Sequence, residues 1–198
     1  MAKLVWNPAT LLNPVPVVMV SCTDGKGRDN IITLAWVGTV NSDPPMLSIS
    51  VRKERFSYEM IKSTGEFVVN LVDEKLVRAA DYCGVKSGRD TDKFSELGLT
   101  AGKAAKVSVP VIHESPVNLE CKVVNTLSLG SHDLFIGEVI AVNVDETLID
   151  NKGKLEFEKS KLVVYSHGQY WGLKMPLGFF GFSVAKKSTL KRRDKGKR

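Results

Sequence analysis

The sequence is poor in the residues that most chemistry-bearing motifs require. Its 198 residues include three cysteines and three histidines. Cys22, Cys83 and Cys121 lie far apart and none sits in a C-x-x-C pair. No disulfide framework or zinc site is expected, and sparse thiols of this kind point to a reducing, cytoplasmic setting. His113, His132 and His167 are not at ligand spacings such as H-x-x-x-H, so no metal centre is expected. There is no G-x-S-x-G, which disfavours a nucleophile-elbow hydrolase. There is no G-x-G-x-x-G, so the usual glycine-rich dinucleotide turn is unsupported. No run approaches the roughly 18 apolar residues of a membrane span. The start, MAKLVWNPATLLNP, lacks the apolar core and cleavage site of a signal peptide. With 43% hydrophobic and 25% charged residues, the composition excludes disordered, collagen-like and coiled-coil classes. A chain of this length buries enough surface to need no covalent staple.

Charge is unevenly placed. The net charge is +6, yet Lys186–Arg198 (KKSTLKRRDKGKR) alone carries +7 and leaves residues 1–185 at −1. The expected organisation is one domain over 1–185 with a basic, disordered tail over 186–198. A tail of this kind either stays solvated or makes weak contact with nucleic acid or an acidic surface. It does not by itself make nucleic acid an expected partner of the folded part.

What is present is β patterning. Val17–Cys22 predicts a strand, Asp24–Asn30 with its two glycines a hairpin loop, and Asn30–Val40 a second strand. Asn41–Pro45 (NSDPP) breaks that strand. Met46–Val51 alternates, with Leu47, Ile49 and Val51 on one face and Ser48 and Ser50 on the other. Ser57–Ser63 predicts a short helix stopped at Gly65, Glu66–Val72 a strand, and Glu74–Cys83 a helix with Leu76, Ala79, Ala80 and Cys83 on one face. Gly84–Gly102 reads as a polar loop with one helical turn. Val117–Ser128, His132–Asp145 and Leu162–Ser166 predict further strands. The sum is a mainly β, barrel-like antiparallel domain with a few short helices.

Three groups of residues stand out. Ser48, Ser50 and Arg52 extend one strand face, and Arg55 precedes a helix starting at Ser57. A helix N-terminus with an adjacent arginine suits a phosphate-bearing ligand, although the same residues also describe a solvent-facing strand followed by a capping serine. The loop Ser87–Phe94 (SGRDTDKF) is either a solvated turn or a second anion or ring contact. The segment Trp171–Phe182 (WGLKMPLGFFGF) is core packing, a subunit interface or a cover over an aromatic ligand.

In order along the chain, these pieces resemble the flavin reductase-like family of FMN-binding split-barrel proteins, in its flavoredoxin-like form. The residues that carry the resemblance are Asn30, Ile31, Thr33, Ala35 and Trp36; Ser42–Pro45; the strand MLSISV; Arg52, Arg55, Phe56 and Ser57; Thr64–Asn70; Ser87–Phe94; and His132–Val139. They span about residues 10–170. The resemblance implies an antiparallel Greek-key split β-barrel that forms a homodimer with FMN near the interface. It implies that Asn30, Thr33, Leu34, Ala35 and Trp36 belong to the flavin site, with Thr33, Leu34 and Ala35 meeting the ring through backbone. Ser48, Ile49 and Ser50 would line the ribityl chain, with Arg52 beside them. Arg55, Phe56 and Ser57 would hold the phosphate. Lys93 would add a contact, from the same subunit or its partner, and His132 would sit near nicotinamide or flavin. The implied activity passes electrons from NADH or NADPH through FMN to a small-molecule or protein acceptor. The alternative is an electron-carrier flavoprotein without useful NAD(P)H activity.

Overall fold

The computed structural model describes residues 1–189; positions 190–198 of the basic tail lie outside the described residues. The strands are β1 (Val15–Pro16), β2 (Val18–Thr23), β3 (Asp29–Leu34), β4 (Val37–Ser42), β5 (Pro45–Arg52), β6 (Glu66–Leu71), β7 (Ala101–Gly102), β8 (Val111–Ile112), β9 (Val117–Ser128), β10 (His132–Val144), β11 (Val163–Ser166) and β12 (Gln169–Gly172). Helices α1 (Phe56–Thr64), α2 (Val77–Val85) and α3 (Lys93–Leu97) complete the set with three short 3-10 turns. Among the described residues no helix is long and apolar enough to cross a membrane.

Seven strands form the main sheet in the order β3-β2-β6-β9-β10-β5-β4, with every pair antiparallel. β5 leads through α1 into β6, the chain continues to β9 beside β6 and to β10 beside β9, and β10 returns to lie against β5, which is Greek-key connectivity. β3 and β4 are consecutive in the chain yet occupy opposite edges of the sheet. The sheet therefore curls until its edges meet at the two residues between them, Ala35 and Trp36. This is a mainly β, antiparallel split barrel, as the sequence predicts.

That curl corrects one expectation. Asn30–Val40 is not one strand but two, because closure requires the chain to leave one edge and join the other. The carbonyl of Trp36 accepts from the Ser50 N–H at 3.0 Å, fixing the crossing against β5. Two smaller shifts accompany it. α1 starts at Phe56, with Ser57 inside the helix and not at its cap, and α2 starts at Val77 because Asp73 first accepts from the N–H groups of Lys75 and Leu76.

Burial explains the patterns. β2 is buried along its whole length because both faces are covered. Val18, Val20 and Cys22 point into the barrel with Ile49, Phe67 and Phe135. Val17 and Met19 face a second core with Ile31, Ala80, Cys83 and Phe94, which α2 and α3 supply. β5 keeps its alternation, with Leu47, Ile49 and Val51 in the barrel core. α1 ends at Gly65, whose left-handed backbone (φ 66°) lets its N–H reach the Ile61 carbonyl at 2.9 Å. Opposite the helices, Glu120 is fully buried and accepts from the N–H groups of Ala105, Lys106 and Val107 and from Asn143. Trp171–Phe182 is not core packing. Trp171, Leu173, Met175, Leu177 and Phe180 are all exposed, as are Leu4, Val5, Trp6 and Leu12 near the start of the chain.

Candidate functional site

The site is organised along β3, which starts in a small polar pocket at Asn30 and ends at the Ala35–Trp36 crossing. At roughly 3.3 Å per residue the two ends are some 16 Å apart.

The pocket, of about 140 Å³, is lined by Asn30, Arg55, Ser57, Gly88, Arg89 and Lys93 among others. Asn30 is only 2% exposed. Its Nδ2 donates to Ser57 Oγ at 2.8 Å, while its Oδ1 has no partner among the described residues. Leaving a buried acceptor unpaired costs on the order of 1–3 kcal/mol, so this oxygen asks for a donor. α1 begins in the same wall, and no side chain caps it. Its first N–H groups lack intrahelical acceptors and its positive dipole end favours an anion. Lys93 is buried and its Nζ donates to the carbonyls of Ile31 (2.6 Å) and Cys83 (2.9 Å). Burial holds its pKa below the ordinary lysine value, and the charge of Arg55 adds to the effect. Lys93 thus joins the pocket of its own chain. Gly88 sits so close to Asn30 that a Cβ there would lie 2.2 Å from Oδ1.

Two arginines that the sequence reading left out of the site close this pocket. Arg28, from the β2–β3 hairpin, donates through Nη2 to the carbonyls of Gly88 (2.7 Å) and Arg89 (3.0 Å). Arg89 donates to the carbonyl of Glu54 at 3.1 Å. Both guanidiniums approach the Phe56 ring, at 4.5 and 5.6 Å from its centroid. Arg89 lies in the polar loop singled out from sequence, whereas Arg28 stands in a hairpin loop that carries no binding signal.

The other end of β3 is open. Thr33 Oγ1 donates to the Ala80 carbonyl, so its side chain faces α2 and its backbone is what it can offer a ligand. β3 is a sheet edge, and an edge strand leaves part of its backbone without ladder partners. Leu34 packs half-buried on the barrel core. Trp36 is 48% exposed, and its ring lies 4.6 Å from that of His132, tilted by 42°. His132 stands opposite Arg52 in the β10–β5 ladder. Partial burial, and then the charge of Arg52, hold the imidazole below its ordinary pKa, which favours its neutral form. Arg52 itself pairs with Glu54 at 3.0 Å on the surface. Ser48 and Ser50 lie on the outer face of β5, with Ser48 Oγ only 3.5 Å from the Gly38 carbonyl. Ile49 is fully buried in the barrel, so its side chain cannot line a ligand and only its backbone remains available.

The candidate residues therefore fall into two groups. Asn30, Arg55, Phe56, Ser57 and Lys93 surround the pocket, and Trp36, Ser50, Arg52 and His132 gather at the crossing. The first group fits a ligand that carries an anionic phosphate and hydroxyl donors. The second presents an exposed aromatic surface beside an imidazole.

Comparison with known proteins identifies the family. The model of the flavin reductase like domain matches residues 11–174. The flavoredoxin of Desulfovibrio vulgaris (Miyazaki F) superposes with a TM-score of 0.85 at 33% identity, covering 93% of this chain and 100% of that one. An uncharacterized protein of Archaeoglobus fulgidus is 31% identical over 158 residues, which is 80% of this chain and 88% of that protein. The reductase component of an FADH(2)-dependent resorcinol hydroxylase from a Rhizobium species is 25% identical over 140 residues, 71% of this chain and 73% of its own. The chain belongs to the flavin reductase like family.

Proposed function

We propose that this protein binds FMN and passes electrons from NADH or NADPH through it to an acceptor. The observation that carries the proposal is the unpartnered Oδ1 of buried Asn30 in a pocket that also holds the uncapped start of α1, Arg55 and Lys93. A ribityl hydroxyl would supply the missing donor to Asn30, and the phosphate would meet α1 and Arg55. Ser48 and Ser50 would flank the ribityl chain along β5. The backbone of residues 33–35 would face the ring, with N–H groups placed to stabilise added negative charge. When bound, the flavin supplies hydride acceptance and onward electron transfer, and the protein supplies position and access. Trp36 and His132 form the approach to the ring for a nicotinamide, and Arg52 offers a charge to its phosphates.

The acceptor is a free flavin, a ferric chelate or a partner protein. The similarity to a hydroxylase reductase component favours onward delivery to a separate partner. A second reading, an electron carrier without useful NAD(P)H activity, is favoured by the similarity to flavoredoxin. The exposed apolar segments near both ends of the chain support a homodimer, because a lone subunit rarely leaves so much apolar surface in water. Three buried, unpaired cysteines fit a reducing cytoplasm.

The test is the visible spectrum of the protein after loading with FMN and desalting, before and after anaerobic NADH or NADPH. Retained flavin bands that bleach with a nicotinamide support the reductase and name its donor. Retained bands that bleach only with dithionite support the carrier. Absence of binding even in direct titration refutes both.

A further inference from the structure

The wall of the phosphate pocket divides two spaces. On one side lies the small cavity at the start of α1; on the other lies a polar crevice of about 440 Å³ that includes Asp29, Asp90, Thr91 and Asp92 in its lining. Gly88 and Arg89 line both, so residues 87–89 are the partition. This partition is tied down from two directions. Arg28 reaches from the β2–β3 hairpin to the Gly88 and Arg89 carbonyls, and Arg89 reaches across to the Glu54 carbonyl just before α1. Both guanidiniums lie against Phe56, the first residue of α1. Carbonyls accepting from a cation form the stronger class of hydrogen bond, so the strap is firm where a surface loop would ordinarily be mobile.

We propose that Arg28 and Arg89 set the flavin specificity of this protein by strapping residues 87–89 across the end of the phosphate pocket, so that a flavin mononucleotide fits and a flavin dinucleotide does not. The proposal rests on the flavin reading above. In FMN the phosphate is terminal, and nothing need continue past it. In FAD the same phosphate is a diester that leads to a second phosphate and an adenosine. With the ring at the crossing and the first phosphate at α1, residues 87–89 stand between that phosphate and the neighbouring crevice, so a continuation in that direction meets the strap. It would then enter a crevice containing three carboxylates, Asp29, Asp90 and Asp92. Against them stand only the two guanidiniums of Arg28 and Arg89 in the same lining, both held on carbonyls, so the carboxylates outnumber them and the crevice disfavours a second phosphate. Steric closure and charge thus act in the same direction, which is how a binding site rejects a close analogue.

The experiment titrates full-length apoprotein separately with FMN and FAD, following quenching of flavin fluorescence. It is run on the wild type, Arg28→Ala and Arg89→Ala, with far-ultraviolet circular dichroism to show that each is folded. The wild type is expected to favour FMN by about a hundredfold or more, and Arg28→Ala to narrow that ratio to about tenfold or less through tighter FAD binding. Arg89→Ala, which cuts the strap at its other tie, should move the ratio in the same direction. A wild type that binds FAD within tenfold of FMN overturns the proposal without needing any variant. An unchanged ratio in the folded variants overturns it as well, while leaving FMN binding intact. A wild type that binds neither flavin overturns the flavin reading and this proposal together.

Discussion

The two ends of β3 are built on opposite principles. At Asn30 the side chains are buried, cross-bonded and closed in by an arginine-tied strap. At Trp36 the chain is exposed, and the neighbouring groups are a tilted aromatic pair and a surface ion pair. The contrast separates two tasks that a redox protein must perform on one ligand. On the proposed flavin reading, one end would grip a part that does no chemistry and the other would expose the part that does. Fixing the remote part leaves the reacting end accessible to more than one exchange partner.

The sharpest way to break the closed end is Gly88→Val. Its Cβ cannot coexist with the Asn30 amide, so the pocket must shift, and FMN affinity is expected to fall by about a hundredfold or more. Equilibrium titration checks this, and unchanged affinity would remove the pocket from the site. Arg55→Ala should act more mildly. Loss of one charge-assisted contact is expected to weaken FMN about tenfold with no change in the melting curve. At the open end, His132→Ala should show the reverse pattern. Nicotinamide-driven reduction, measured by anaerobic stopped flow, is expected to slow about tenfold, with FMN affinity changing less than threefold. Equal losses in both quantities would mean that the two ends are not separate.

One bond joins them. Tyr58 of α1 donates to Asp133 at 2.6 Å, and Asp133 follows His132 directly. That bond, burial and the nearby carboxylate raise the Tyr58 pKa from 10.0 to about 12, and the same bond holds the Asp133 carboxyl below its ordinary range. A phenol whose pKa is raised by folding contributes stability that is intact below pH 10 and is lost as the pH climbs to about 12. The Asp133 contribution is present at neutral pH and disappears in acid as the pH falls through its lowered value. Tyr58→Phe should lower the melting temperature at pH 7 by roughly 3–6 °C and flatten the alkaline limb of the stability profile. The smallest effect is expected from deleting residues 190–198. FMN affinity should change by less than about twofold, and a larger loss would give the basic tail a part in the site.

Much of this contrast was legible in the residues, and the exceptions have physical causes. The alternation of MLSISV placed Leu47, Ile49 and Val51 inside, because one face of that strand packs on the core and the other does not. The start of α1 beside Arg55 was legible to within a residue, because a helix N-terminus is local chemistry. The Ala35–Trp36 crossing was invisible, because nothing in NIITLAWVGTV disfavours an extended chain and only the closure of the sheet divides it. Arg28 was equally silent. Its role exists only because residues 88 and 89, sixty positions later, present their carbonyls to it. Lys93 was singled out only through the resemblance, because its burial against the carbonyls of Ile31 and Cys83 depends on β3 and α2 and leaves no local pattern. β1 and β12 were missed because they are two and four residues long, too short to show a period.

The crossing at Ala35–Trp36 acts as a seam. A sheet left open at both margins offers two rows of unpaired backbone groups to any passing strand. Here the same chain stitches the margins together, and the strand nearest the seam lies under the helices and the strap. A margin that would otherwise favour self-association is joined to the opposite edge within one chain.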